Sequence, residues 1–171
     1  MTRIAYPGTF DPITKGHVDV AVRASRLFDK VIVLIGTNPA KTTLFDRDER
    51  LEMVRAELKG MSNVEVDSFD GLLVDYLRQH GISLVVRGIR SRADFDYEYQ
   101  MALTNRALQP EVETLFISAS PQYSFVTAQF LREIAAMGGE VAPFVSPSVA
   151  DRLRRKLSSS RAPRDARRAE R

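Results

Sequence analysis

The first seventeen residues hold several residue types that bind phosphate: glycines, threonines and a histidine. They lie in the run Tyr-Pro-Gly-Thr-Phe-Asp-Pro-Ile-Thr-Lys-Gly-His, residues 6–17. The apolar residues 4–6 predict a strand, and the apolar residues after His17 recur at helical spacing. The run therefore predicts a strand-to-helix loop, whose free N–H groups and helix dipole favour an anion. His17, in the first helical turn, either reaches that anion or merely caps its own helix.

Two arginines flank a glycine in the run Arg87-Gly88-Ile89-Arg90. Arginine binds phosphate bidentately and stays charged at physiological pH, and Gly88 allows a ligand to come close to the backbone. The apolar residues 84–86 predict a strand, so the arginines are expected just past its end. Lys41, in the loop after residues 31–35, is expected on the same rim. Either set could instead be solvated surface charge, because spacing alone does not separate the two roles.

Acidic residues begin a long predicted helix over residues 94–108, in Asp94-Phe95-Asp96-Tyr97-Glu98. Carboxylates in a first helical turn usually interact with the helix dipole, which is the role expected of Asp94 and Asp96. His80, near a predicted helix end, is expected at the surface. The sequence has no cysteine, no cluster with metal-ligand spacing and no clear Ser-His-Asp set. The available chemistry is phosphate positioning and charge stabilisation without a covalent intermediate.

The elements that must position these residues follow from hydrophobic periodicity. Apolar runs alternate with amphipathic segments, which predicts an α/β fold: a Rossmann-like, doubly wound, five-stranded parallel sheet with helices on both faces. A strand order of 3-2-1-4-5 puts the first and fourth strands side by side, and ligands bind at the carboxyl ends of such strands. Loops 7–17, 87–90 and 123–129 are expected to converge there. The predicted strands are residues 4–6, 31–35, 64–66, 84–86 and 114–117.

Local patterns predict several helix ends. Asp46 with Glu49 three residues later predicts a capping box, and Gly81 predicts a left-handed helix end. Pro147 begins a last helix that is expected to end near residue 157. The Leu, Val and Phe stripes of the chain are expected in the core.

Length and charge limit the functional classes. A chain of 171 residues with 44% hydrophobic residues is typical of one globular domain. No apolar run in the sequence approaches the roughly 20 residues of a membrane span, and without cysteine a cytoplasmic protein is expected. The net charge of +3 belongs to residues 158–171, which hold five arginines and two acidic residues. We therefore predict a neutral domain over residues 1–157, a basic disordered tail over residues 158–171, and neither a nucleic-acid nor a membrane partner.

The motif Thr14-x-Gly16-His17 after a first strand resembles the T/HxGH signature of the nucleotidylyltransferase superfamily. The wider run over residues 6–17 more closely resembles the phosphopantetheine adenylyltransferases of bacterial coenzyme A synthesis. Further stretches are similar to that family in order and separation, so the resemblance spans residues 1–157. These stretches are Asn38-Pro39-x-Lys41, Arg87-Gly88-Ile89-Arg90 with Asp94-Phe95-Asp96-Tyr97-Glu98, and Tyr123-Ser124-Phe125-Val126.

The resemblance implies a reaction and a set of site residues. In that family the phosphate of 4′-phosphopantetheine attacks the α-phosphate of ATP, giving dephospho-coenzyme A and pyrophosphate. The resemblance also implies that Mg²⁺ binds mainly through substrate phosphates and that the protein is a cytoplasmic homohexamer. His17 would stabilise the transition state, while Thr9, Lys41, Leu73 and Arg87 would bind phosphopantetheine. ATP would be bound by Thr9, Phe10, His17, Gly88, Ile89, Arg90, Glu98, Tyr123, Ser124, Phe125, Val126, Thr127, Ala128 and Gln129.

The chain departs from the family at one helix start. The family usually has Ile/Val-Ser-Ser-Ser where this chain has Val126-Thr127-Ala128-Gln129. Backbone N–H groups there do not depend on the side chains, so phosphate binding is still expected. Three alternatives stay open: a sibling transferase that uses glycerol phosphate or nicotinate mononucleotide, a nucleotide-binding relic without catalysis, and a nucleic-acid binder acting through the tail.

Overall fold

The computed structural model describes residues 1–37 and 42–161, so Lys41 lies outside the described residues. Strands and helices alternate along the chain, as the periodicity predicts. In order, they are β1 (Arg3–Gly8), α1 (Lys15–Ser25), β2 (Lys30–Thr37), α2 (Arg47–Glu57), β3 (Val64–Asp70), α3 (Leu73–His80), β4 (Leu84–Ile89), α4 (Arg92–Leu108), β5 (Glu113–Ser118), α5 (Ala128–Ala136) and α6 (Pro147–Arg161). A short 3₁₀ turn, Pro121–Tyr123, lies between β5 and α5.

The five strands form one parallel sheet in the order β3-β2-β1-β4-β5, which confirms the predicted doubly wound topology. The chain winds outwards from β1 to β3 and then returns to the other side of β1 for β4 and β5. The winding direction therefore reverses between β1 and β4. In open parallel sheets this reversal point is where ligands bind.

The pairing of β1 with β4 is short and opens into a cleft. Their register covers only Ile4 with Leu84 and Ala5 with Val85. Further on, β1 continues alongside β2 and β4 continues alongside β5. The two central strands therefore separate towards their carboxyl ends, and this separation makes room for a ligand.

Residues on the two faces of the sheet belong to two separate cores. In β2, Val31, Val33 and Ile35 join a large apolar cluster with α1, α2, α5 and α6. Their neighbours Ile32 and Leu34 join a smaller cluster with α3 on the opposite face. Successive strand residues point to opposite faces, so a strand that is buried on both faces needs an unbroken apolar run.

Two of the predicted helix ends, the start of α2 and the end of α3, are confirmed. The Glu49 backbone N–H donates to Asp46 Oδ1 at 2.8 Å, and the Asp46 N–H donates to Glu49 Oε2 at 2.8 Å, which completes the capping box of α2. Gly81 follows α3 in the left-handed conformation, with φ of 61°. These ends were predictable because each depends on residues within one helical turn.

Several boundaries differ from the prediction; β3, for example, continues to Asp70, beyond the predicted residues 64–66. Arg87 and Gly88 lie inside β4 and not in a loop after it, since they pair with Phe116 and Ile117 of β5. Ladder hydrogen bonds use only the backbone, so a polar residue continues a strand wherever a neighbouring strand is available. Helix α6 continues to Arg161, beyond the predicted end near residue 157, so residues 158–161 of the predicted disordered tail are helical. Residues 162–171 of that tail lie outside the described residues.

The prediction that all Leu, Val and Phe stripes are buried is wrong for one surface. Helix α4 and the edge strand β5 leave large apolar side chains exposed, and no element of the described chain covers them. We call this surface the α4–β5 face; it includes Phe95, Tyr99, Leu103, Leu108, Leu115 and Phe116. Among residues 1–37 and 42–161, no helix is both long enough and apolar enough to cross a bilayer.

The two-sided core predicts a clear contrast between two leucine substitutions. Leu77 of α3 is fully buried, whereas Leu27 is 69% exposed. Leu77→Ala should lower the free energy of unfolding by about 2–5 kcal/mol, because it removes buried methyl groups and leaves a cavity. The matched control Leu27→Ala should change it by less than about 0.5 kcal/mol. Urea unfolding measures both, and equal losses would contradict the assignment of the smaller core.

Candidate active site

A cavity of about 490 Å³ lies at the carboxyl ends of β1 and β4. All three segments that were expected to converge contribute to it. We call it the first cavity; its lining includes Thr9, His17, Arg90, Thr127, Gln129 and Arg132.

His17 caps its own helix and also faces the first cavity. The Thr14 backbone N–H donates to His17 Nδ1 at 3.1 Å, and the His17 N–H donates to Thr14 Oγ1 at 3.3 Å. Because a backbone N–H can only donate, Nδ1 must be the unprotonated nitrogen and Nε2 carries the proton. No described residue accepts a hydrogen bond from Nε2. The two roles that were alternatives in the sequence therefore use different nitrogens of one ring.

The surroundings keep the His17 imidazole neutral. Burial is the main cause, and the nearby charges of Arg90 and Arg87 add to it, so the pKa of His17 falls to about 4 from its usual 6.5. The ring also packs edge-on against Phe10, with centroids 5.1 Å apart. At neutral pH this histidine is a neutral N–H donor.

Arg87 extends from β4 to a carboxylate on α4. Its Nε and Nη2 donate to the two carboxylate oxygens of Glu98, at 2.7 Å for Nε to Oε2. Its Nη1 donates to the carbonyl oxygen of Pro7, across the cleft between the separating strands. The bond to Pro7 ties β4 to the end of β1, in the region where β1 and β4 no longer pair.

Arg90 is held in a similar way by Asp94, which lies one helical turn before Glu98 on α4. Its Nε and Nη2 donate to Asp94 Oδ2 and Oδ1, at 2.8 Å and 3.0 Å. Its Nη1 donates to the carbonyl oxygen of Val126 at 2.8 Å. Asp94, which was expected only to complement the helix dipole, therefore also orients an arginine.

The segment over residues 123–129 forms the far wall of the first cavity. Thr127 is the N-cap of α5, since its Oγ1 accepts from the Phe130 N–H at 3.0 Å. Ala128 lies in the first turn of α5, where backbone N–H groups lack helical partners. The amide of Gln129 donates to Glu133 at 3.0 Å. The helix start therefore keeps its cap and free backbone donors despite the serine replacements.

A second cavity of about 820 Å³ adjoins the first. The residues that line both cavities are Pro7, Gly8, Thr9, Thr43, Arg87 and Glu98. Away from these shared residues, the second cavity has apolar walls that include Phe69, Leu72, Leu73, Met101 and Leu108. A polar junction therefore separates a cavity that is lined by arginines from one whose walls are largely apolar.

The first cavity is lined by most of the residues that were predicted to contact the nucleotide. Leu73, which was predicted at the acceptor, lines the second cavity, and Lys41 lies outside the described residues. Ile89, Ser124 and Phe125 line neither cavity; Phe125 packs edge-on against Phe144, with centroids 5.8 Å apart. The predicted site residues that do line the first cavity are Thr9, Phe10, His17, Arg87, Gly88, Arg90, Glu98, Tyr123, Val126, Thr127, Ala128 and Gln129.

Sequence reasoning missed a third arginine in the first cavity. Arg132 Nη1 donates to the carbonyl oxygen of Asp11 and, at 3.1 Å, to its Oδ2. The Asp11 side chain is only 2% exposed and also accepts from the backbone N–H groups of Leu44 and Phe45, at 2.9 Å each. A basic residue one turn past the α5 cap was the available indication, but its partner lies 121 positions away.

Arg50 was also missed, and it donates hydrogen bonds to the backbone of the opening loop. It is only 2% exposed, and its Nη1 donates to the carbonyl oxygens of Thr9 at 2.8 Å and Gly36 at 3.2 Å. The next residue, Phe10, has φ of 49°, a left-handed conformation that is uncommon for a phenylalanine. Arg50 and Arg132 therefore hold the backbone carbonyls on either side of this strained residue.

Comparison with known proteins is consistent with this architecture. Residues 5–134 match the model of the cytidylyltransferase-like family. The structure is similar to a nicotinate-nucleotide adenylyltransferase described as putative, from Vibrio parahaemolyticus, with a TM-score of 0.65 at 19% identity over 92% of this chain and 95% of that one. It is also similar to the nicotinic acid mononucleotide adenylyltransferase of Plasmodium falciparum, with a TM-score of 0.67 at 14% identity over 94% and 96%. At such identities the likeness establishes the fold alone.

Curated sequences give a narrower relationship. The chain is 51% identical to the phosphopantetheine adenylyltransferase of Nitrosomonas eutropha over 91% of its length and 95% of that protein. It is 47% identical to the phosphopantetheine adenylyltransferase of Heliobacterium modesticaldum, over 94% of this chain and 95% of that protein. The protein therefore belongs to the phosphopantetheine adenylyltransferases, within the cytidylyltransferase-like family.

Proposed function

We propose that this protein transfers the adenylyl group of ATP to 4′-phosphopantetheine, which gives dephospho-coenzyme A and pyrophosphate. The observation that carries the proposal is the meeting of two cavities at Thr9, Arg87 and Glu98. The first cavity has arginines and a helix start, which suit a triphosphate, and the second has apolar walls, which suit a pantetheine arm. Membership of the family supports this choice of acceptor over glycerol phosphate or nicotinate mononucleotide.

The reaction is a direct displacement at the α-phosphorus of ATP. A phosphate oxygen of 4′-phosphopantetheine forms the new bond to that phosphorus, and the bond to the bridging oxygen of the β-phosphate breaks. The electron pair of the broken bond leaves with pyrophosphate. Both substrates are anionic, so the protein must align them and stabilise charge, and no covalent enzyme intermediate is needed.

His17 stabilises the transition state by donating a hydrogen bond from Nε2. Its Nδ1 is held by the Thr14 N–H, so the ring orientation is set before substrate binds. Because the imidazole is neutral, it follows the charge that develops on the α-phosphate oxygens without protonating them. Backbone N–H groups at Thr9–Phe10 and Gly88–Ile89 serve the same nucleotide.

The three arginines bind different parts of the negative charge of the two substrates. Arg87, between the cavities, binds the acceptor phosphate together with Thr9 and Lys41. Arg90 binds the nucleotide phosphates, and Arg132 extends the same surface along α5 towards the leaving group. Leu73 packs against the pantetheine arm in the second cavity.

Mg²⁺ is proposed to bind mainly through the substrate phosphates. Within the described part of the chain, no three His, Asp or Glu side chains are grouped as a protein-held metal ion would need. Each of the three arginines already pairs with a carboxylate, so part of the triphosphate charge is left uncompensated. The ion supplies positive charge to the triphosphate when it is bound.

We further propose that the protein is a cytoplasmic homohexamer. The α4–β5 face supports self-association, because exposed apolar side chains on an edge strand and its neighbouring helix are typical of subunit contacts.

A pyrophosphate-release assay tests the function. With ATP, Mg²⁺ and 4′-phosphopantetheine the protein should release one pyrophosphate per dephospho-coenzyme A formed. ATP alone, or ATP with nicotinate mononucleotide or glycerol phosphate, should give little release. Binding of ATP without any turnover would favour a catalytically impaired relic instead.

Replacement of the proposed donor should affect turnover far more than binding. His17→Ala should lower kcat by at least about a hundredfold, because a donor aimed at transition-state charge is lost. The variant should remain folded and bind ATP within about tenfold of the wild type. The matched control is His80→Ala on α3, which should keep near-native turnover. A folded His17→Ala protein with near-native kcat would limit His17 to its capping role.

The protonation state of His17 has its own test. In His80→Gln, His17 is the one histidine left, so its ring protons can be followed by NMR. They should show a pKa of about 4 and no titration near pH 6.5. Since the unfolded chain takes up this proton at a higher pH than the folded one, the free energy of unfolding should fall as the pH drops from about 6.5 to about 4. A midpoint near 6.5 would contradict a neutral donor.

A further inference from the structure

Helix α4 presents two carboxylates one turn apart, and each holds a different arginine. One is Arg87, inside β4, and the other is Arg90, directly after β4. Asp94 and Glu98 are both partly buried, with side chains 25% and 12% exposed. Glu98 accepts from Nε and Nη2 of Arg87, and Asp94 accepts from Nε and Nη2 of Arg90. The same side of each guanidinium is therefore occupied by a carboxylate.

The two pairs leave the same part of each arginine free. A guanidinium has five N–H groups, in a rigid plane. Besides the carboxylate, one N–H of Arg87 goes to Pro7 and one of Arg90 goes to Val126. Among the described residues, this leaves one N–H on Nη1 and one on Nη2 of each side chain. Two such donors match the spacing of two phosphate oxygens.

The two arginines differ in the space that they border. Arg87 borders both cavities, at the junction that they share, whereas of the two cavities Arg90 borders only the first. A change in the orientation of Arg87 should therefore affect a ligand of the second cavity. A change in Arg90 should affect only a ligand of the first cavity.

We propose that Glu98 and Asp94 are positioning residues with separate substrates: Glu98 orients Arg87 for the acceptor phosphate, and Asp94 orients Arg90 for the nucleotide phosphates. This inference rests on the proposed function. It gives Glu98 a role at the acceptor through Arg87, in contrast to a direct contact with ATP.

The reason for two carboxylates beside two anionic substrates is geometric. A carboxylate weakens the net attraction for phosphate, so charge alone would not favour it. Its two oxygens, however, hold the long arginine side chain in one rotamer, which removes the entropy cost of ordering it when substrate binds. Glutamine or asparagine keeps one acceptor oxygen and turns an NH₂ group towards the guanidinium, so the amide variants lose this two-point grip.

The test compares Glu98→Gln with Asp94→Asn in the pyrophosphate-release assay. Glu98→Gln should raise the KM for 4′-phosphopantetheine about tenfold or more, and change the KM for ATP by less than about threefold. Asp94→Asn should show the opposite pattern. Calorimetric binding of each substrate alone checks that the KM values follow affinity, and kcat should change less than KM in both variants. Asp96→Asn, at an exposed position of the same helix, removes the same charge and should leave both KM values near the wild type.

The outcomes separate the possibilities. A rise in the KM for ATP with Glu98→Gln, as large as that for the acceptor, would mean that the carboxylate contacts the nucleotide directly and would overturn the inference. Unchanged KM values in both variants would overturn it as well, as would an equal loss in Asp96→Asn. A wild-type protein without turnover would instead count against the proposed function, and calorimetry would still test the effect of each variant on binding.

Discussion

The short pairing between β1 and β4 is the constraint on which the rest of the structure depends. Only two residue pairs join these strands, Ile4 with Leu84 and Ala5 with Val85, before each strand continues with its outer neighbour. The cleft that results lies at the centre of the sheet, where the winding direction reverses. Arg87 reaches across it to Pro7, so the side chain that serves the site also spans the opening.

The charges of the site are compensated before any substrate binds. Arg87, Arg90 and Arg132 each pair with a carboxylate, and His17 is held neutral. Such a site does not act as a simple positive patch. It offers donors in set directions: one imidazole N–H, the free ends of guanidinium groups, and the backbone N–H groups at the start of α5. Preorganised donors of this kind favour a transition state over a ground state, because they need not reorganise as charge moves.

The opening loop shows how local and distant contacts combine. Thr14 and His17 set the start of α1 through contacts three residues apart, which the sequence motif already contained. The left-handed Phe10 is held by Arg50 through Thr9 and by Arg132 through Asp11, from helices 41 and 121 positions away. A strained residue persists only where surrounding structure holds it, so the loop is as much a product of α2 and α5 as of its own residues.

The sequence by itself determined the elements, their parallel order and the three converging segments, because hydrophobic periodicity, caps and the motif around His17 are local patterns. It also placed the chain in its family through runs that survive in order. Tertiary structure alone decided that Arg87 lies inside β4, that Asp94 and Glu98 hold the two arginines, and that Arg50 and Arg132 belong to the site. Arg90 and Asp94 are only four residues apart, but the other pairings join residues that are distant in sequence. They depend on how strands and helices pack and on which backbone groups remain free, and no spacing along the chain encodes that.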